Sequence, residues 1–339
     1  MYEEVTMYVN PRIESGAGAI RSLLDLPGRV LVCTMELPWK LVQEEMSWSP
    51  AHVHFVQDMD LETVERLDRE LPACDVVVGI GGGSAVDTAK YIAWKRNCRM
   101  ILVPSIVSVD APLTYTVGVR VDKTVQYVGR IFPEELIVDH TLIRKAPAFL
   151  NQAGACDIAS IHTALHDWKL AHDRNGEPYY PEVAQLAQDC LDELDRNAAE
   201  IHDVTPKGID TIIELYRREV KFCYEIDTSR PEEGSEHIVA YHLEHITRRH
   251  FVHGDLVALG ILAMSRLQDN RPDYALDLMR RCGLRYECPD ASIEEIRACI
   301  EGLLAFKQHA GLFYSVVDTT PVTPELVDWV LERVRERRA

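Results

Sequence analysis

The sequence predicts an α/β domain built on a parallel sheet, followed by an all-helical domain. Three observations carry this. Up to about residue 145, short β-branched runs alternate with helical patterns. A run of three glycines, Gly81-Gly82-Gly83, stands between one such run and a helix. From Pro147 onward the apolar period is helical almost throughout. Strands alternating with helices argue for a doubly wound parallel sheet. With 339 residues, two domains are expected, 1–146 and 147–339.

The elements of the first half follow in order. Val5–Val9 reads as a short strand. Arg29–Thr34 is continuously apolar after Pro27-Gly28, the pattern of a strand covered on both faces. Val53–Val56 is a third strand, and Leu61–Leu71 a helix with apolar positions at Leu61, Val64, Leu67 and Leu71. Asp75–Ile80 is a β-branched strand entering the glycines, and Ser84–Trp94 a helix. Met100–Pro104 and Leu136–Asp139 complete the strands. In the second half, helices are expected near 148–173, 181–199, 207–226, 234–247, 254–268, 271–282, 292–309 and 324–338, with breaks at glycine and proline.

Composition narrows the function. Hydrophobic residues make up 47% of the chain, enough for a large core, and no apolar run reaches the length of a membrane span. The net charge is −18, from 36 basic and 54 acidic residues, which disfavours nucleic acid and anionic lipid as partners. The acidic start lacks the features of a signal peptide, so a cytoplasmic location is expected. The nine cysteines are scattered without a CxxC pair and read as mostly buried small hydrophobes.

Chemistry begins at the glycines. A buried strand, three glycines and an immediate helix let backbone N–H groups approach a phosphate, with the positive helix end behind them. The spacing is neither GxGxxG nor a Walker A. Gly81 to Lys90, GGGSxxDxAK, resembles the pyrophosphate loop of the iron-containing alcohol dehydrogenase / dehydroquinate synthase superfamily. Val103 to Pro112 resembles a glycerol dehydrogenase segment. The resemblance implies NAD or NADP held by Gly81, Gly82, Gly83, Ser84 and Asp87, with Ser105 and Ser108 on the nicotinamide side and Asp110 near the substrate. Glu36, just after the second strand, could accept from the adenosine ribose and would repel a 2′-phosphate, which favours NAD.

The helical half offers one carboxylate and several imidazoles on separate segments. Asp157 lies in Gly154-Ala155-Cys156-Asp157, and the chain continues to Asp167-Trp168. Ser229-Arg230-Pro231-Glu232-Glu233-Gly234-Ser235-Glu236-His237 follows, then His253-Gly254-Asp255. Spacing alone leaves His237, His242 and His245 open, with His237 and His245 expected to share a helix face. The order of motifs resembles glycerol-1-phosphate dehydrogenase over roughly residues 1–265. That resemblance implies the metal ligands Asp157, His237 and His253, which also count as catalytic with Asp110. Two imidazoles and a carboxylate suit zinc best, with nickel or iron(II) as alternatives.

Three departures stand out. Asp255 replaces the usual glutamate after His-Gly, Ser108-Val109-Asp110-Ala111 replaces S-H-D-G, and Ile161 occupies the position of an additional histidine in iron-type members. The resemblance implies a Rossmann-like domain with a helical domain, in the dehydroquinate synthase-like / glycerol dehydrogenase fold. It implies hydride transfer between a small polyol or polyol phosphate and nicotinamide, in a homo-oligomer. A phosphorylated substrate needs nearby cations, and Arg248-Arg249-His250 is the dense basic run. The competing readings are a sugar-phosphate cyclase of the dehydroquinate or inosose synthase type, whose S-G-R-x-x-L-N-x-G-H motif is missing, and a non-enzymatic nucleotide-binding scaffold.

Overall fold

A computed structural model describes residues 8–121 and 124–339. The chain divides after Pro147 into two compact units. Among the described residues, the first unit holds β1 (Arg12–Gly16), β2 (Val30–Thr34), α1 (Glu36–Glu45), β3 (His52–Phe55), α2 (Leu61–Glu70), β4 (Val76–Gly81), α3 (Gly83–Arg96), β5 (Arg99–Pro104), β6 (Thr116–Val121), β7 (Thr124–Arg130), β8 (Glu135–Asp139) and α4 (His140–Arg144). Six strands form a parallel sheet in the order β1-β8-β5-β4-β2-β3.

The apolar runs explain the middle of that sheet. β2 and β4 are buried along their whole length, as expected for strands with both faces covered. Thr34 pairs with Ile80 and Gly81 with Pro104, so three strand ends meet where β4 turns into α3. Gly79 lets that helix lie close: a Cβ there would stand 2.7 Å from Ala89 Cβ and 2.9 Å from Leu102 Cδ2. Carboxyl ends of parallel strands are where such sheets take ligands.

Several elements depart from the sequence reading. β1 was not anticipated, because Arg12-Ile13-Glu14-Ser15-Gly16 at a sheet edge lacks an apolar run. The β6–β7 hairpin, an antiparallel pair outside the main sheet, was also missed. The strand expected at Val5–Val9 lies outside the described residues up to Met7, and Tyr8 and Val9 are in no strand.

The second unit is helical: α5 (Ala148–Ala153), α6 (Ala155–Asn175), α7 (Pro181–Arg196), α8 (Ala198–His202), α9 (Pro206–Ile226), α10 (Ser235–Thr247), α11 (His253–Leu267), α12 (Pro272–Cys282), α13 (Ile293–Glu301), α14 (Leu303–Ala310) and α15 (Pro324–Arg338). Three expected long helices are each split. One break is at Gly154, whose carbonyl accepts the Tyr216 hydroxyl at 2.6 Å. Another is at Asn197, whose side-chain amide donates back to the Glu193 carbonyl at 2.9 Å. The third is at Gly302, where a Cβ would meet His242 Cε1 at 2.6 Å. None of the described helices is long and apolar enough to cross a membrane.

α11 is the central helix of this unit, and Gly254 through Ser265 is buried without interruption. Two of its glycines set backbone distances. A Cβ on Gly260 would lie 2.2 Å from the Glu236 carbonyl oxygen of α10, and one on Gly254 would lie 2.3 Å from the Ala153 carbonyl oxygen. Neither neighbour can rotate away, because both are backbone. Gly260→Ala should therefore force α10 off α11, destabilising by about 1–3 kcal/mol and lowering Tm by roughly 3–10 °C. Thermal denaturation checks this, and an unchanged Tm would contradict the packing argument.

Candidate metal centre and cofactor loop

The glycine turn opens at Gly81, whose φ of +151° is reached readily only without a side chain. A Cβ there would also meet Ala85 Cβ at 2.8 Å. Gly82 precedes the first turn of α3, its carbonyl accepting from Ala85 and Val86 at 3.1 Å each, and no side chain caps this end. Gly83 and the exposed Ser84 begin the helix. The Ser105 amide donates to the Gly81 carbonyl at 3.0 Å, which places buried Ser105 beside the turn. Ser108 and Asp110 follow, both partly buried. Glu36 starts α1 and is exposed.

Asp87 is engaged one turn further along α3. It stands 3.6 Å from Lys90 Nζ and accepts from the Gly118 amide, tying α3 to β6. Lys90 is buried, and donates to Thr114 Oγ1 at 2.8 Å and the Thr116 carbonyl at 3.2 Å. Burial lowers its pKa, while Asp87 and Asp110 oppose that effect. The pair thus anchors the segment after Asp110.

In the helical unit, Asp157, His237 and His253 each sit in the first turn of a helix: α6, α10 and α11. One ligand atom from each lies within 4.8 Å of the others. His253 Nε2 is 3.4 Å from Asp157 Oδ1, and the two imidazole centroids are 5.5 Å apart. Asp157 and His237 are buried, and His253 is partly exposed. Asp157 Oδ1 is buried without a hydrogen bond. A carboxylate oxygen in that state is costly, and a cation beside it removes the cost. The donor set therefore fits a divalent metal of the zinc class, with three protein ligands and an open position.

The sequence reading gave no role to Glu236. Its carboxylate is fully buried. Oε1 stands 2.8 Å from His237 Nδ1 and accepts the Gly234 amide at 2.5 Å, and Oε2 accepts the Thr163 hydroxyl at 2.6 Å. A carboxylate at Nδ1 calls for the proton there and leaves the Nε2 lone pair for a ligand bond. Burial opposes a charged His237, but Glu236, Glu233 and Asp157 outweigh it and raise its pKa to about 9. The surroundings of His237 thus favour positive charge.

A family model described as iron-containing alcohol dehydrogenase matches residues 28–147. A glycerol-1-phosphate dehydrogenase [NAD(P)+] of Hyperthermus butylicus is 32% identical over 291 residues, covering 80% of this chain and 82% of that protein. Its counterpart in Staphylothermus marinus is 31% identical, covering 80% and 76%. The chain belongs to the glycerol-1-phosphate dehydrogenase family. It is an oxidoreductase acting on CH–OH. The fold is shared with glycerol dehydrogenase from Schizosaccharomyces pombe, at 17% identity and a TM-score of 0.70 over 98% of this chain and 90% of that one. An iron-containing alcohol dehydrogenase from Corynebacterium glutamicum matches at 16% identity and a TM-score of 0.71, over 96% and 94%.

Within this family the departures acquire physical meaning. Asp255 is buried and paired with Arg285, whose guanidinium stacks 3.9 Å above the Phe149 ring. Burial raises its carboxyl to about 6 even against that arginine. Ile161 is buried, and His162 turns to the Asn270 carbonyl at 2.8 Å. His237 and His245 do not share a face. Eight residues turn a helix about 80° beyond two full turns. His242 and His245 instead both lie against Phe306, with His242 Nδ1 2.7 Å from the Cys299 carbonyl. The basic run is also engaged elsewhere. Arg248 caps α10 in the left-handed region, and Arg249 binds Glu295 at 2.7 Å and the Asp290 carbonyl at 3.1 Å.

Glu236→Gln should weaken metal affinity by about 10–100-fold while leaving NADH affinity unchanged. Competition with a chromophoric chelator reads the first and NADH fluorescence the second. Unaltered metal affinity would reduce Glu236 to a packing role.

Proposed function

We propose that this chain is a metal- and NAD(P)-dependent dehydrogenase that interconverts glycerol 1-phosphate and dihydroxyacetone phosphate. The observation that carries the reading is the convergence of Asp157, His237 and His253 around an unsatisfied carboxylate oxygen. It occurs in a chain of which four-fifths aligns with glycerol-1-phosphate dehydrogenases.

Asp157, His237 and His253 would hold the metal, zinc by the donor set, and that ion when bound stabilises negative charge on the substrate oxygen. A bound nicotinamide would supply the hydride acceptor or donor for the carbinol carbon. Glu236 keeps the His237 ring oriented. The Gly81–Gly83 backbone would hold the pyrophosphate, with Ser84 at the helix start and Asp87 as an anchor behind it. Ser105 and Ser108 would lie on the nicotinamide side. Asp110 orients a substrate hydroxyl or passes its proton outward. Glu36 accepts from the ribose hydroxyls, which favours NAD over NADP.

One observation favours a second reading, a neutral polyol such as glycerol. Arg248, Arg249 and His250 are exposed, and the Arg249 guanidinium is bound to Glu295. The phosphate reading then needs other cations.

Chelation should abolish turnover and added Zn²⁺ restore it. Asp157→Asn should lose bound metal, read by elemental analysis, yet bind NADH normally. Full turnover by metal-free protein would overturn the metal assignment. Dihydroxyacetone phosphate should exceed dihydroxyacetone in kcat/KM by roughly 10–100-fold, since one charge-assisted hydrogen bond contributes about 1.5–3 kcal/mol. Arg249→Ala should change that ratio less than about twofold, as exposed ion pairs are weak. Equal use of both ketones would favour the neutral polyol.

A further inference from the structure

The segment from Ser105 to Gly118 is tied to β4 and α3 along its length. At its start, the Ser105 amide donates to the Gly81 carbonyl at 3.0 Å. Ile106 Cδ1 stands 3.0 Å from where a Cβ on Gly82 would be, and Val109 Cγ2 stands 3.8 Å from where one on Gly83 would be. At its end, Lys90 Nζ donates to Thr114 Oγ1 at 2.8 Å and to the Thr116 carbonyl at 3.2 Å, and Asp87 accepts from the Gly118 amide.

Asp110 opens a single turn between these ties. Its carbonyl accepts from the Leu113 amide at 2.8 Å and from the Thr114 amide at 3.2 Å, and Thr114 Oγ1 donates to the Ala111 carbonyl at 3.2 Å. Thr114 therefore both closes the Asp110 turn and receives Lys90. Lys90 is fully buried, and an ammonium is costly to bury unless its three donors are used. It gives two to this segment and turns towards Asp87 Oδ1 at 3.6 Å. Burial works against its charge, and the carboxylates of Asp87 and Asp110 sustain it. Lys90 follows Gly83 by about two helical turns, roughly 10 Å along the axis. Its donors thus serve the Asp110 segment rather than a phosphate at the helix start.

We propose that Lys90 is a positioning residue for the reaction: through Thr114 it fixes the Asp110 turn on α3, and so holds the Asp110 carboxylate where it meets a substrate hydroxyl. The proposal rests on the reading of Asp110 as a substrate-facing acid and names the residue that places it. One rigid helix then carries the glycine turn at its start and the tie to the substrate acid further along. Such placement matters because a misplacement of about 1 Å can cost roughly 100-fold in rate.

Thr114→Val keeps the branched shape, removes the hydroxyl, and leaves Lys90 its contacts with Thr116 and Asp87. Its kcat/KM for the ketone should fall roughly 10–100-fold, with the NADH Kd, read by fluorescence, within about twofold of wild type. Lys90→Met should lose at least as much, but it also strips the cation from Asp87, so Thr114→Val carries the test. A double-mutant cycle with Asp110→Asn decides the route. If the tie acts through Asp110, Thr114→Val costs less than about twofold in the Asp110→Asn background. Equal losses in both backgrounds would reduce the tie to packing and overturn the proposal. An undiminished kcat/KM in Thr114→Val, or full activity in Asp110→Asn, would overturn it too. The cycle is run with dihydroxyacetone phosphate and with dihydroxyacetone. Turnover of the neutral ketone alone would sink the phosphate reading and leave the cycle decisive for Lys90.

Discussion

α10 and α11 touch backbone to backbone, and the arrangement of the helical unit follows from that contact. Gly260 has no Cβ, so the Glu236 carbonyl can lie where a methyl group would otherwise be. Gly254 does the same for the carbonyl of Ala153, and Cys156 Sγ donates to the Gly254 carbonyl at 2.8 Å. α5 ends at that point and α6 begins two residues later. The first turns of α6, α10 and α11 are therefore fixed against one another by main chain. Close-packed interiors transmit such constraints rather than absorb them.

The acids of this unit show what is structural and what is not. Asp167 accepts from the Ser235 amide and hydroxyl at 2.8 and 2.5 Å, and from the Val316 amide at 2.7 Å. Burial raises its carboxyl to about 6, with Ser235 opposing. Asp255 has Arg285, and Glu236 has an amide, a hydroxyl and an imidazole. Buried charges are tolerated when partnered in this way. Asp157 Oδ1 lacks such a partner, and it faces two imidazoles. The two facing imidazoles, more than the missing hydrogen bond, mark Asp157 as a candidate ligand among the buried carboxylates of this unit.

Much of this was legible in the sequence because burial on two faces writes itself as an apolar run. β2, β4 and β5 were readable for that reason, and the glycines marked the turn into α3. The edge strand β1 was not, since Arg12 and Glu14 give no apolar signal. The order of acid and histidine motifs pointed to Asp157, His237 and His253, but helical spacing misjudged His245. Chain order places Arg249 near His253, whereas in the structure its guanidinium pairs with Glu295. Its partner Glu295 is distant in sequence. Glu236 stayed hidden because adjacent helical residues ordinarily do not face each other. At the first turn of α10 its carboxylate reaches back to His237 Nδ1 and the Gly234 amide, a local geometry that periodicity does not encode.

On the proposed reading, two imidazoles and one carboxylate of the helical unit hold a metal ion with an open position. X-ray absorption at the zinc edge of the zinc-loaded protein tests it directly. One ion per chain is expected, with a nitrogen and oxygen shell at about 2.0–2.2 Å, an imidazole scattering pattern, and no sulfur shell. A sulfur shell near 2.3 Å, or an unchanged spectrum in Asp157→Asn, would contradict it.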